Sequence, residues 1–546
     1  MAISTYLAIN SLYMMYSTFL LVFIVIGISM FYSGLTQRRS SFTMLGMPLL
    51  ICGILFVDWF IWGYSLCYST SSNKFIGNLD FVVLKHLKLP SETVYSTPRG
   101  DILAIIHFLF NGFMKLICAA LTFPACGAER ARIAPMLLFV VIWSVIIYNP
   151  VSYWIWDRNG WLSPQLNRLP VLDFAGGNCI HIVSGFTALA YSYYIGPRNP
   201  EILRNYRGSN NSIALLGLTF ILFGWTGFIS GCDFNFTVTS IYLIVATFLC
   251  AFSAGIVWTA IDYYYSAIPL DLGEIQKDFE LSELGSSEVG NVIETPTPRV
   301  IPGQKRTLSI VSFSSGVMCG LVVFTPGGGY LCYTGNFWKS IVCGVVGGIV
   351  GNLSTRLKYF FGIDDALDIF AVHGICGIAG SLLVGIFSEA SYDSHGGWIE
   401  HNWIQFAYQL LGSVVTSAYV FFMSLVVLYL IDLIPGMHLR IDKHFNRRVR
   451  AAIRGSNGTE DAENSRNNEM ESQALERAEI MGSDYYELNG EYSMDFVEFI
   501  KIIDPDDFSQ DSNTDETTDH WPSGSNTDKR LRKRLHTELG GDRITD

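Results

Sequence analysis

Two stretches decide how this chain folds: Leu172-Asp173-Phe174-Ala175-Gly176-Gly177, which leads to His181, and Leu367-Asp368-Ile369-Phe370-Ala371-Val372, which leads to His373 and Gly374. Each sets an aspartate where an apolar run begins and a histidine one or two helical turns inside it. An ionisable side chain at membrane depth is costly and usually faces a pathway or a partner rather than lipid. Read singly, each aspartate is a helix N-cap and each histidine bonds a neighbouring helix. Read as a matched pair, they line a pore where two halves of an inverted repeat meet.

Working outward from the histidines, the apolar runs are long. A bilayer crossing takes about 20 apolar residues, since each backbone amide in hydrocarbon must be paired within its own segment. Eleven segments qualify, near 10–35, 43–68, 101–127, 133–156, 174–196, 212–232, 237–262, 308–326, 336–355, 366–388 and 403–432. The histidines fall in the fifth and the tenth. A unit of five spans reverses its direction when repeated, so the expected fold is an all-α polytopic membrane protein with an inverted repeat of spans 1–5 and 6–10. The first run outlasts a secretory leader and has no charged residue before Arg38, so it reads as a spanning helix.

Composition points the same way. Of 546 residues, 15% are charged, against about a quarter in soluble chains. Residues 436–546 hold 15 Lys/Arg against 24 Asp/Glu, most of the net charge of −12. This predicts a membrane domain over 1–434 and a water-facing tail over 435–546, and leaves no basic surface that calls for nucleic acid. The odd-numbered loops carry Arg38, Arg39, Arg130, Arg132, Arg198, Arg204, Arg207, Lys305, Arg306, Arg356 and Lys358, and the tail opens on Arg440 and Lys443. Basic loops stay cytoplasmic, which puts the N-terminus outside and the tail inside; Lys85, Lys88, Arg158 and Arg168 bend the rule in the two longer even loops. The 11 cysteines are scattered singly in apolar runs, with no metal spacing. No Walker loop, dinucleotide fingerprint or Ser-His-Asp set is present, so no enzyme activity, cofactor or metal is expected.

Further motifs carry a family resemblance. Phe31-Tyr32-Ser33-Gly34-Leu35, Trp62-Gly63-Tyr64-Ser65-Leu66, Glu129-Arg130-Ala131-Arg132, Gly224-Trp225, Thr325-Pro326, Ile363-Asp364-Asp365-Ala366-Leu367-Asp368 and Gly396-Gly397-Trp398-Ile399 join the two histidine stretches in order along the chain. Together they resemble the Mep/Amt/Rh ammonium transporters, and most closely the fungal ammonium permeases that keep both pore histidines. The resemblance implies a plasma-membrane homotrimer with one hydrophobic pore per subunit and ammonium or ammonia as the cargo. It makes Trp156 the external recruiting ring, Asp173 the family's essential aspartate, Phe228 one gate ring, and His181 and His373 the twin histidines, with Phe110 also on the substrate path. Asp368 is the second aspartate of the internal echo.

Several positions depart from the family. Its Gly-Phe-Asn-x-Gly-Ser stretch reads Gly227-Phe228-Ile229-Ser230-Gly231-Cys232, which puts Cys232, a poorer hydrogen-bond partner, at the recruiting serine. The third span opens Phe110-Asn111, so the second gate position falls on Met114, or on Phe113 if the register slips by one. Lys115 beside it must snorkel, pair or lose its proton, either facing a neighbouring subunit or standing near the vestibule and repelling ammonium. Gly344, Gly347, Gly348 and Gly351 predict close packing of span nine. Residues 265–307 read as an acidic loop that is either disordered or a subfamily insertion, and the tail around Gly482-Ser483-Asp484 resembles the family's regulatory segment. Residues 504–528, followed by Lys529 to Arg534, read as disorder, a phosphorylated stretch or a lipid-binding patch. The expectations that follow are ammonium uptake, with deprotonation at the mouth and a proton relayed by the histidines, or an ammonium sensor signalling to cytoplasmic regulators through its tail. A passive channel of the Rh type is a third.

Overall fold

The computed structural model describes residues 4–69, 73–87, 94–96, 101–165, 169–203, 206–265, 306, 308–391, 394–445 and 462–488. Nearly all of the 265–307 insertion and all of the distal tail beyond residue 488 lie outside the described residues.

Eleven apolar helical segments follow one another: α1 (Thr5–Leu35), α2 (Arg38–Tyr68), α3 (Ala104–Cys126), α4 (Ile133–Trp156), α5 (Gly177–Ile182 running into Val183–Ile195), α6 (Asn211–Gly231), α7 (Val238–Tyr265), α8 (Ile310–Phe324), α9 (Trp338–Phe361), α10 (Phe370–Phe387) and α11 (Ile404–Asp432). Among the described residues, nine of these are long and apolar enough to cross a membrane. The other two are α8, only 15 residues long, and α5, whose apolar run is diluted by Asn178, His181 and its tyrosines. Side-chain caps mark three starts: Ser4 accepts from the Leu7 amide, Asn210 from Ser212 and Ile213, and Ser309 from Ser312.

Corresponding spans of the two halves cross tightly. A Cβ on Gly27 of α1 would stand 2.6 Å from the Gly217 carbonyl of α6, and Gly185 of α5 lies against the backbone of Gly374 in α10. Spans one and six, and five and ten, therefore meet backbone to backbone, as an inverted five-span repeat requires. Span nine packs as its glycines predict: a Cβ on Gly348 would stand 2.7 Å from the Ala254 carbonyl of α7, and Gly351 faces Cys319 of α8. The outer surface is apolar, with Leu12, Leu49, Phe223, Ile256 and Phe422 all more than 60% exposed. Such a belt suits hydrocarbon, not water.

Among the described residues, the first, third, fifth and ninth loops share one face, and the Gln37 amide of the first donates to Glu129 of the third. Arg198 in the α5–α6 loop pairs with Glu129 of the α3–α4 loop and with Asp364 of the α9–α10 loop, each at 2.7 Å. Arg130 donates to the Gly196 and Asp364 carbonyls. Two tail helices, α12 (Ala462–Met481) and α13 (Ser483–Leu488), settle on the same face: Glu479 grips Arg440, and Asp484 accepts from the amides of Phe42 and Thr43.

Candidate functional site

Among the described residues, four membrane helices contain a π-turn, in which the chain takes an extra residue per turn and redirects its side chains. Two of these turns, Gly177–Ile182 in α5 and Phe370–Ile375 in α10, carry His181 and His373. The crossing at Gly185 and Gly374 then brings the imidazoles together. Their Nδ1 atoms lie 3.1 Å apart and the rings are near parallel, with centroids 5.2 Å apart. Both rings are buried. One Nδ1 must donate and the other accept, so the two neutral rings hold opposite tautomers. The Nε2 of His181 has no hydrogen-bond partner among the described residues.

An aromatic column continues from the histidines. Trp225 stacks on His181 with centroids 5.8 Å apart and planes within 5°, and Phe228 follows at 4.9 Å from Trp225. Phe110 of α3 lies against α6 one turn further on, where a Gly231 Cβ would come within 2.6 Å of its ring. Its other face meets Phe234 edge-on at 5.7 Å. Met114 is buried, whereas the half-buried Phe113 turns toward Phe56 of α2. Cys232 is buried near this end of α6 and its Sγ donates to the Phe228 carbonyl at 3.3 Å.

Asp173 opens α5 as a cap of unusual completeness. Oδ1 accepts from the amides of Gly176 and Gly177, and Oδ2 from Asn178 and Cys179, at 2.5 to 3.1 Å. These are the otherwise orphaned donors of a helix start, which favour a negative charge. The strand of chain around it is pinned on both sides: Gln409 of α11 holds the Leu172 amide and carbonyl, and the Phe174 and Ala175 amides donate to Pro326 and Thr325. The indole N–H of Trp156 donates to the Asp173 carbonyl at 2.9 Å, which fixes that half-buried ring beside it.

Asp368 does not cap α10. It has φ 57°, a left-handed backbone that aspartate tolerates, and its Oδ1 accepts from Lys358 at 2.8 Å. The cap is Asp365, whose Oδ2 accepts from the Phe370 amide at 2.7 Å. Spacing carries the signal: Asp365 precedes His373 by eight residues, as Asp173 precedes His181. Burial, and then the charge of Asp368, push the Asp365 carboxyl up to about 7. Asp364 goes the other way. Its burial would raise it, but hydrogen bonds from Arg198 and the charge of Arg130 hold it well below the usual carboxylate range.

Lys115 neither snorkels nor stands free. It is buried and pairs with Asp58 of α2 at 2.6 Å. Asp58 is itself a carboxylate inside a span, and the hydrogen-bond partners of Lys115 and Asp58 do not include either pore histidine.

The Ammonium Transporter Family profile matches residues 12–269 and 301–447. The chain belongs to this family. It is 35% identical to ammonium transporter 1 of Schizosaccharomyces pombe, covering 78% of this chain and 76% of the relative. It is 33% identical to ammonium transporter MEP2 of Saccharomyces cerevisiae, over 76% of each chain. The crystal structure of Saccharomyces cerevisiae Mep2 superposes with a TM-score of 0.67 at 29% identity, covering 81% of this chain and 92% of that one. Polytopic all-α architecture and family membership agree, and the family's matched region ends just past α11, short of α12 and α13.

Proposed function

We propose that the chain carries ammonium across the plasma membrane as a homotrimer, N-terminus outside and tail inside, with one pore per subunit along the column of Phe110, Phe228, Trp225, His181 and His373. The observation that carries this reading is the 3.1 Å contact of two buried imidazole nitrogens at the crossing of α5 and α10. A bare ammonium ion loses far more than ammonia on leaving water for an apolar passage. Deprotonation at the mouth is the consequence. Trp156, anchored on the Asp173 carbonyl, recruits the cation through its ring, and the Asp173 carboxylate, fixed by four amides, supplies negative charge beside it. Ammonia then passes the gate ring Phe228 and the buried Met114 at the second gate position, with Phe110 and Cys232 lining the same path. The proton passes along the imidazole pair, each neutral ring offering one donor and one acceptor. The membrane part, 1–434, is the transport domain and the tail from 435 its regulator.

Expression in cells lacking their own ammonium permeases tests this. Growth on low ammonium and an ammonium-evoked current are expected, and the absence of both at normal surface abundance removes the transport reading. His181→Ala/His373→Ala is expected to lower the current at least tenfold or to admit other cations; an undiminished and equally selective current removes the relay. Growth without current would make the pore a passive ammonia path. One observation favours a second reading, an ammonium sensor: the tail is bound into the loop face through Glu479 and Asp484, so a change in the pore has a direct mechanical route to it.

A further inference from the structure

The two remaining π-turns frame a different polar centre. Trp59–Gly63 in α2 follows directly on Asp58, and Ser144–Tyr148 in α4 begins on Ser144 and ends beside Asn149. Between them the Lys115 amine of α3, fully buried, reaches Asp58 Oδ2 at 2.6 Å, Ser144 Oγ at 2.5 Å and Asn149 Oδ1 at 3.2 Å. That is one acceptor for each of the three N–H donors of a primary ammonium group. The rings of Trp59 and Tyr148 add cation–π faces, with centroids 5.2 and 5.6 Å from the nitrogen. The acceptors are themselves set: Ser144 donates to Asp58 Oδ2, and the Trp62 indole donates to Asp58 Oδ1.

A charge, two neutral oxygens and two aromatic faces arranged around one nitrogen make a receptor for an ammonium group, and only the tether distinguishes its occupant from a free amine. We infer that Asp58, Ser144, Asn149, Trp59 and Tyr148 form a binding site for small primary ammonium ions, and that Lys115 fills it from within the chain. The site is built from α2, α3 and α4 and shares no residue with the histidine column, so its test does not depend on whether the pore conducts. It also accounts for Lys115: the amine is neutralised where it sits and does not oppose a cation at the mouth.

The experiment removes the tether and offers the ligand. Full-length wild type, Lys115→Ala and Lys115→Ala/Asp58→Asn are extracted in detergent, and their unfolding temperatures are followed in ammonium chloride, methylammonium chloride and, at equal ionic strength, choline chloride. Ammonium and methylammonium are expected to raise the unfolding temperature of Lys115→Ala by about 3 °C or more beyond their effect on wild type, saturably. Adding Asp58→Asn should abolish the excess. An equal shift in wild type and Lys115→Ala, or an excess that survives Asp58→Asn, overturns the inference. If Lys115→Ala is recovered only from cells grown and extracted in ammonium, that dependence is the same rescue. Failure to recover it even in ammonium, whether or not the neutral double variant is recovered, overturns the site.

Discussion

Asp365 sits at the start of α10 with one oxygen on the Phe370 amide and the other, Oδ1, buried without a partner among the described residues. Its carboxyl is raised to about 7 by burial and by Asp368. The native state therefore holds this proton up to about pH 7, while an unfolded aspartate releases it near pH 4. The stabilising contribution is complete below about pH 4 and is lost as pH rises to 7. Asp365→Asn keeps the cap to Phe370 and has no charge to bury. Thermal unfolding at pH 4 and pH 8 should show the variant close to wild type at the lower pH and more stable by on the order of 4 kcal/mol at the higher; a variant with the wild-type slope would refute this. Asp368→Asn, by contrast, removes a half-exposed pair with Lys358 and should cost no more than about 1 kcal/mol. The two residues look alike in sequence. Only the register to the histidine, eight residues in both halves, tells the cap from its neighbour.

At the scale of elements, α2 borrows its cap. Its first turn, Arg38–Ser40, is a 3-10 turn, and Ser40, in the cap position of the α-helical part that starts at Ser41, makes no side-chain bond to the helix. Asp484 of α13 does so instead, with Oδ1 accepting from the Thr43 amide at 2.7 Å and Oδ2 from the Phe42 amide at 3.0 Å. Beside it Glu479 takes both Nε and a terminal nitrogen of Arg440, a two-pronged buried pair, while Asn199 donates to Glu476. The tail thus ties together the starts and ends of spans far apart in sequence. Losing a cap costs about 1 kcal/mol, whereas leaving a buried arginine without its acid costs about 3–5 kcal/mol. Hydrogen exchange should therefore rise over residues 41–45 and 470–488 together in Asp484→Ala, and more strongly in Glu479→Ala. Exchange confined to the tail would mean that the cap does not steady α2. That α3 and α5 are helices is plain from their apolar runs. That α5 and α10 each begin with a π-turn is not, because a one-residue change of helical pitch leaves no mark on composition.

Across the whole molecule, α3–α4, α5–α6 and α9–α10 loops and the tail gather on one face through Arg130, Arg198, Asp364 and Arg440. The charge rule assigns that face to the cytoplasm. An epitope on the N-terminus is then expected to bind antibody on intact cells, and one on the tail only after permeabilisation; the reverse pattern would invert the proposed direction of uptake. From sequence alone came the all-α membrane class, the order of the apolar runs, the family, and the placing of His181 and His373 at echoing positions in two of those runs. These follow from local chemistry, since hydrocarbon demands long uninterrupted apolar segments and charges an ionisable group for every exception. Tertiary structure alone decided which carboxylate caps α10, that Met114 rather than Phe113 is buried, that Trp225 stands between Phe228 and His181, and that Lys115 answers to Asp58. Each of those is a question of which side chains on different helices share a few ångströms, and that is fixed by how the helices rotate and cross, through close contacts such as Gly185 on Gly374, which no periodicity along one chain segment encodes.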